Sequence, residues 1–259
     1  MRIVVLVKEV PDTYGERTLN LETGLADRGA TEAVLDEISE RAVEAALRLA
    51  DTQATDVQID VMSMSPESAL PSIRKGLAMG AHEAVHIADE SLAGADVTLT
   101  AEVLAAAIQQ RGYDLVVCGN VATDGNGGVI PSMIAEHLDL PQLTGLTNIA
   151  SDGSSVTGER DDDFGTAHLT AELPAVVSIT ESFPDARFPN FKGIMAAKKK
   201  PLTTLTCADL GIDPEDFSTP RSIMTEVSQT PPREAGTKIV DDGTAVDQLV
   251  TFLSTNKLI

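Results

Sequence analysis

Residues 115–141, "LVVCGNVATDGNGGVIPSMIAEHLDLP", are the stretch on which the reading of this chain turns. An apolar run leads into a loop containing Gly119, Gly125, Gly127 and Gly128, and a helical pattern begins near Pro131. Strand, glycine loop and helix in that order set free N–H groups and the positive end of a helix beside one turn, which suits an anion such as phosphate. Glycine allows positive φ and a close approach of backbone to ligand. The loop is not G-x-G-x-x-G, because Ile130 stands where the last glycine belongs. It is not G-x-x-x-x-G-K-[ST] either, because it has no lysine. Composition thus points to a mononucleotide, with a tight structural turn as the alternative. Asp124, itself an anion, suits a turn-capping or ribose-hydroxyl role.

Outward from the loop, residues 1–145 alternate strand and helix. "RIVVLVK" (residues 2–8) is a continuous apolar run, as in a strand covered on both faces. "EISERAVEAALRLAD" has helical spacing with Asp36 as N-cap. "VQIDVMSM" is a strand, and "SPESALPSIRKGLAMG" a helix with Ser65 as N-cap, Pro66 at its first position and Gly80 as stop. "EAVHIAD", "DVTLTAEVLAAAIQQRG" and "YDLVVCGN" continue the alternation. The pattern implies an α/β fold with a doubly wound, mostly parallel sheet. Residues 9–32 have no helical period, and a connection of that length is an excursion or functional; "RTLNLETGLADRG" could form a hairpin around Glu22, Thr23 and Gly24. After Gly145, "TNIASDGSSVTGER", "GTAHLTAEL" and "AVVSITES" suggest a small β-meander over residues 146–185. Residues 187–200 end in a short helix-like piece. From residue 212 an extended polar arm leads to an apolar helical pattern, so two regions are expected, 1–211 and 212–259.

Forty acidic residues against 19 basic give the 259-residue chain a net charge of −21, which argues against a nucleic-acid or anionic-membrane binder. No apolar run approaches a membrane span, and "MRIVVLVKEVPD" lacks the features of a signal peptide, so a cytoplasmic protein without membrane insertion is expected. Cys118 and Cys207 make neither a disulfide framework nor a zinc site. His82, His86, His137 and His168 are scattered, with His86 inside a strand as a structural residue. No G-x-S-x-G elbow or S-G-G-x-D-S pyrophosphate loop occurs. Asp161, Asp162 and Asp163 suggest a solvated loop rather than a metal site. The residues describe a nucleotide-type fold with no catalytic constellation.

"MRIVVLVKEVPD", "DEISERAVEAALRL", "SIRKGLAMGAHEAVHI", "ATDGNGGVIPSMIAEHLDLPQLT" and "LPAVVSITESFPDARFPNFKGIMAAKKKPL" together resemble the β subunit of electron transfer flavoprotein over essentially the whole chain. The resemblance implies an adenine-nucleotide-binding α/β domain of the adenine nucleotide alpha hydrolase-like superfamily, with a C-terminal arm that embraces an α subunit. It implies structural AMP, and a redox FAD held mainly by the α subunit. Electrons would arrive from acyl-CoA and related flavin dehydrogenases and leave to a membrane quinone reductase.

Carried over by position, the AMP pocket falls on Leu6, on Asp36, Glu37, Ile38 and Ser39, and on Met64. It continues through Gly119, Asn120, Val121, Ala122, Thr123, Asp124, Gly125, Asn126, Gly127, Gly128, Val129 and Ile130. Many relatives have Gln and Thr where this chain has Val129 and Ile130, so backbone donors of residues 126–132 would carry the phosphate. The dehydrogenase-docking loop maps to residues 187–200, with Phe191 as the inserted apolar residue and Gly193, Ile194 and Met195 beside it. An aromatic near the flavin maps next to Thr13, on Tyr14. Two alternatives stand beside this reading. One is a bifurcating homologue with a second FAD in the pocket. The other is a stand-alone ATP- or AMP-binding stress-type protein, which expects a G-[ST] element where Leu138 and Asp139 stand.

Overall fold

The first strand, β1 (Arg2–Leu6), is the axis of the fold. In the computed structural model, which describes residues 1–53, 56–233 and 235–259, Ile3, Val4 and Val5 are wholly buried. Ile3 and Val5 enter one apolar cluster and Val4 the other, so both faces of the strand are covered and its sequence is apolar throughout. A short antiparallel pair follows, β2 (Glu9–Pro11) with β3 (Ala33–Leu35). Then come α1 (Glu37–Thr52), β4 (Gln58–Met64), α2 (Leu70–Met79), β5 (Glu83–Ile87), α3 (Val97–Arg111), β6 (Leu115–Gly119) and α4 (Ile130–Leu138). The chain continues through β7 (Gln142–Leu146), β8 (Asn148–Ser151), β9 (Ser155–Asp162), β10 (Gly165–Glu172), β11 (Ala175–Ile179), α5 (Phe191–Ala197), β12 (Leu202–Leu205) and α6 (Cys207–Leu210).

Seven strands form one parallel sheet in the order β12-β5-β4-β1-β6-β11-β7. Residues of α1 and α2 fill the cluster on one face; α3 and α4 fill the other. Strands β8, β9 and β10 make a separate antiparallel sheet, whose Val156 and Ala171 join the first cluster. The compact unit runs through Thr225, because Arg221 pairs with Glu102 at 2.6 Å and the Ser222 amide donates to Asp96 at 2.6 Å. Residues 226–259 form a second unit containing α7 (Ala245–Thr255), in which Val246, Leu249, Val250 and Phe252 are exposed. Among the described residues, no helix is long and apolar enough to cross a membrane.

The doubly wound architecture, the antiparallel insert and the extended arm agree with the sequence; three local readings change. "AVVSI" does not extend the meander but enters the parallel sheet as β11, since all five residues are buried and a strand covered on both faces has no polar alternation. Ser65 caps no helix. A 3-10 turn over Glu67–Ala69 delays α2 to Leu70, and the Ser65 hydroxyl instead lies 3.2 Å from His86 Nε2, which is also 2.9 Å from the Ser65 carbonyl. This gives the buried His86 its structural partners. The hairpin expected in residues 17–29 shrinks to one bridge, Leu19 to Ala26, around a turn closed by Gly24. Asp162 spends its carboxylate on the amides of Phe164 and Gly165 at the β9–β10 turn, and Asp161 accepts from Thr166.

One buried charge ties the segment after β11 to α1. Glu44 accepts from Arg187 Nε at 2.8 Å, the Arg187 amide at 3.1 Å and Arg48 Nε at 2.7 Å. Burial by itself would raise the Glu44 carboxyl, but the Arg187 and Arg48 bonds outweigh it and hold the group below its ordinary 4.5. A lowered folded value means the stabilisation is present above about pH 4.5 and lost as pH falls through the folded value. Glu44→Gln is expected to cost about 1–3 kcal/mol at pH 7 by urea denaturation, below the full range for a buried pair because Arg187 is partly solvated. The gap from the parent should close in acid; a gap that widens there would contradict the assignment.

Candidate functional site

β1 and β6 are neighbours in the sheet, yet their chains leave in opposite senses. β1 leads through α1 on one face to β4, whereas β6 leads into α4 on the other face. The carboxyl ends of two such strands cannot be bridged by either connection, and the crevice left there is where open α/β sheets bind ligands. The last residues of β1, β4 and β6 are Leu6, Met64 and Gly119. At Gly119 the first turn of α1 comes so close that a Cβ would lie 2.7 Å from Ile38 Cγ2, so only glycine fits. The start of α1 and the loop after β6 thereby form the two walls of the crevice.

Residues 120–129 carry the loop from β6 to α4. The Asn120 amide is taken by the Ile179 carbonyl at 2.8 Å, and the Asn126 amide by Ala122 at 3.0 Å. Asn126 (φ 49°) and Gly128 (φ 63°) adopt left-handed backbone. Among the described residues, no protein acceptor takes the amides of Gly127, Gly128 or Val129. Around Gly127, space is open where a Cβ would stand. Three donors without acceptors thus stand just before a helix with Pro131 in its first turn, an arrangement that suits an anion. Asn126, expected from the sequence to be among the donors of residues 126–132, has its amide committed to the turn instead.

Asp36 and Asp124 anchor the loop from below. Asp36 occupies the N-cap position of α1, but its side chain makes no cap bond; Oδ2 accepts the Thr123 amide at 2.9 Å, and Oδ1 is buried without a partner. Burial pushes this carboxyl above the usual carboxylate range, against the lowering effect of the Thr123 bond. Asp124 accepts from Lys8 Nζ at 2.7 Å, its neighbour Gly125's amide at 2.6 Å and Arg28 Nη2 at 3.2 Å. Burial works to raise it, but Lys8 and Arg28 hold it low. Ser39 Oγ accepts the Lys8 amide at 3.1 Å and closes the base of the site.

Above these anchors lies a hollow of about 440 Å³ lined by Glu37, Ile38, Arg41, Asn120, Val121, Thr123, Asn126 and Glu181. That volume suits a small organic ligand. A second hollow of similar size lies at the opposite, amino-terminal ends of β1 and β4 against Arg2, Gln58 and His82, away from the switch point. The sequence-derived residues of β1, β4, β6, α1 and the 120–130 stretch thus gather at one edge. Arg41 and Glu181 were not anticipated, because neither stands in the glycine-loop pattern. Nor were Lys8, Arg17 and Arg28, which lie on or beside an excursion whose sequence shows no periodicity.

The remaining candidates lie elsewhere. Tyr14 stands almost fully exposed on the excursion. Phe191, Ile194 and Met195 are exposed on α5, with Phe188 exposed just before it. Gly193 differs from them. It packs inward, where a Cβ would lie 2.5 Å from the Ala78 carbonyl of α2. Of the three consecutive lysines, Lys200 donates to the Leu77 carbonyl at 2.8 Å and to Ala81, closing the end of α2.

A family model for the electron transfer flavoprotein domain matches residues 23–210. Over 263 residues the chain is 46% identical to electron transfer flavoprotein subunit beta of Mycobacterium leprae, with 99% of each chain covered. It is 45% identical, at the same coverage, to the subunit beta of Mycobacterium tuberculosis. To the caffeyl-CoA reductase-Etf complex subunit CarD of Acetobacterium woodii it is 32% identical over 257 residues, covering 98% of this chain and 96% of that one.

The Gly119–Ile38 contact yields a test of the crevice's construction. Gly119→Ala should lower stability by about 1–3 kcal/mol in denaturant titration, because the new methyl pushes the start of α1 away. The same Gly119→Ala change should cost less in an Ile38→Ala background, which lacks the two γ carbons that the new methyl would meet. An alanine variant as stable as the parent would show that the walls are not in contact.

Proposed function

The chain belongs to the electron transfer flavoprotein family as a β subunit, and from that premise we propose that it holds AMP permanently in the hollow beside residues 120–129. The observation that supports this most is the set of acceptor-free amides at Gly127, Gly128 and Val129, opening beside a hollow at the sheet's switch point. A phosphate would take those amides, and Ile38 and Val121 offer apolar surface to the rest of the nucleotide. Leu6, Met64, Asp36, Glu37, Ser39 and Asn120 complete the pocket in this reading. In this reading the chain serves as one half of an electron carrier.

In that carrier an α subunit holds most of the FAD, and the flavin supplies the redox chemistry when bound. The part of the expected 212–259 arm beyond Thr225, with the exposed apolar residues of α7, packs on the α subunit, and Tyr14 faces the flavin. Acyl-CoA and related flavin dehydrogenases deliver electrons, which pass on to a quinone reductase. Docking of the dehydrogenases falls to Phe191, Ile194 and Met195. The segment that presents them is held by Glu44 to Arg187, by Arg41 to the Phe183 carbonyl, and by Arg74 to the Ala197 carbonyl at 2.9 Å. A small apolar knob on a braced support suits contacts that form and release quickly. The cytoplasm is the compartment this role implies for a chain of this kind.

Two measurements test the proposal. Denaturing the purified αβ complex and quantifying what it releases should give one AMP and one FAD per complex. Two FAD and no AMP would replace this reading with the bifurcating one, in which flavin fills the hollow, and no nucleotide beyond one FAD would end it. Separately, Phe191→Ala should slow reduction of the complex by an acyl-CoA dehydrogenase about tenfold, as loss of an aromatic anchor does. FAD content should not change. Unaltered reduction kinetics would remove Phe191 from docking.

A further inference from the structure

Residues 12–32 form a long excursion with almost no core. Among these described residues only Gly24 is buried, beneath Met224, and the tip rests on Gly94 through Leu25. Internal backbone bonds are few: Asp12 to Glu32 at the base, and a handful of turn contacts. A segment with so little buried apolar surface is positioned by its polar ties, and opens locally when they break. Those ties converge on the glycine loop. Arg17 donates to the Thr123 carbonyl through Nη1, and to Thr123 Oγ1 at 3.3 Å and the Pro11 carbonyl at 3.0 Å through Nη2. Arg28 donates to Asp124 Oδ2 at 3.2 Å and to the Glu9 carbonyl at 3.3 Å. Lys8, two residues past the end of β1, grips Asp124 Oδ1 at 2.7 Å.

Asp124 is therefore heavily engaged. Oδ1 serves Lys8 and the Gly125 amide, Oδ2 serves Arg28, and its side chain is 8% exposed. That enclosure and the two cationic partners favour a role inside the chain over the ribose-hydroxyl role suggested by the sequence. We propose that Asp124 is a positioning residue rather than a nucleotide ligand: it latches the excursion, through Arg28 and with Arg17 on Thr123, to the loop that the nucleotide orders. Thr123 and Asp124 lie three to six residues before the free amides, on the same short loop. A phosphate bound at Gly127–Val129 fixes that loop; a fixed loop offers Arg17 and Arg28 stationary acceptors, and the excursion orders with it. The latch makes nucleotide occupancy legible about 100 residues away in sequence, in a segment that need not touch the nucleotide. The inference rests on the nucleotide reading above, and its test separates the two.

Hydrogen exchange on the purified αβ complex, AMP-depleted and then reloaded with AMP, reads both segments at once. Slower exchange in residues 120–130 on reloading reports occupancy itself; no change there would overturn the nucleotide reading and with it the latch. If residues 120–130 respond, residues 13–31 should also exchange about tenfold more slowly in the reloaded complex, the scale expected when several hydrogen bonds form together. An unchanged rate in residues 13–31 would overturn the latch alone. In Arg17→Ala with Arg28→Ala, the AMP response should persist in residues 120–130 and vanish in residues 13–31. A response retained in both would also overturn it. Asp124→Asn should loosen residues 13–31 in the AMP-loaded complex; an excursion that exchanges there as it does in the parent would remove Asp124 from the latch. A fall in overall stability in any of these variants does not mimic an AMP-dependent difference confined to one segment.

Discussion

The site exists because β1 and β6 lie side by side while their chains depart to opposite faces of the sheet. That constraint opens a crevice at their carboxyl ends, and everything near it is arranged around the opening. Gly119 lets the start of α1 approach β6 to within the reach of an Ile38 methyl. Asp36, displaced from helix capping, holds the Thr123 amide. The loop is thus fastened at its entrance and along its floor, and Gly127, Gly128 and Val129 are left with amides pointing at no protein acceptor. Backbone donors left unpaired beside a hollow cost free energy unless water or a ligand takes them. An anion is the ligand they best suit.

The two polar anchors behave differently. Asp36 is a buried acid with one oxygen unpartnered and a raised carboxyl, so its environment disfavours the charge. Asp124 is less deeply enclosed and lies between Lys8 and Arg28, which keep it ionised. One carboxylate orders the loop through a single amide, while the other binds distant parts of the chain to it. A similar division governs residues 183–200. Glu44, Arg41, Arg74 and Lys200 secure residues 183–200 against α1 and α2, and the apolar side chains of α5 then project outward from a fixed base.

Much of this was legible in the sequence where the signal was local. The apolar runs of β1 and β6, the helical spacing of α1 and α3, and the glycines of the loop all reported what each residue does in its own element. The family resemblance added positions such as Leu6 and Met64 that no local pattern marks. What escaped depends on contacts distant in sequence. β7 and β12 are short edge strands with threonine and little apolar content, recognisable only once a neighbour is present. Ser65 looked like a helix cap, but His86 from the next strand claims its hydroxyl. Arg17 and Arg28 sit in a segment without periodicity, and their purpose becomes visible only with Asp124, about 100 residues on, in place.

The central claim is that the amides before α4 receive a nucleotide phosphate. Amide NMR spectra of the nucleotide-depleted αβ complex, with this chain labelled, test it most directly as AMP is added. The account predicts that Gly127, Gly128 and Val129 show the largest downfield proton shifts, as amides do on taking up an anionic acceptor. Saturable shifts centred elsewhere, with those three amides unmoved, would contradict it.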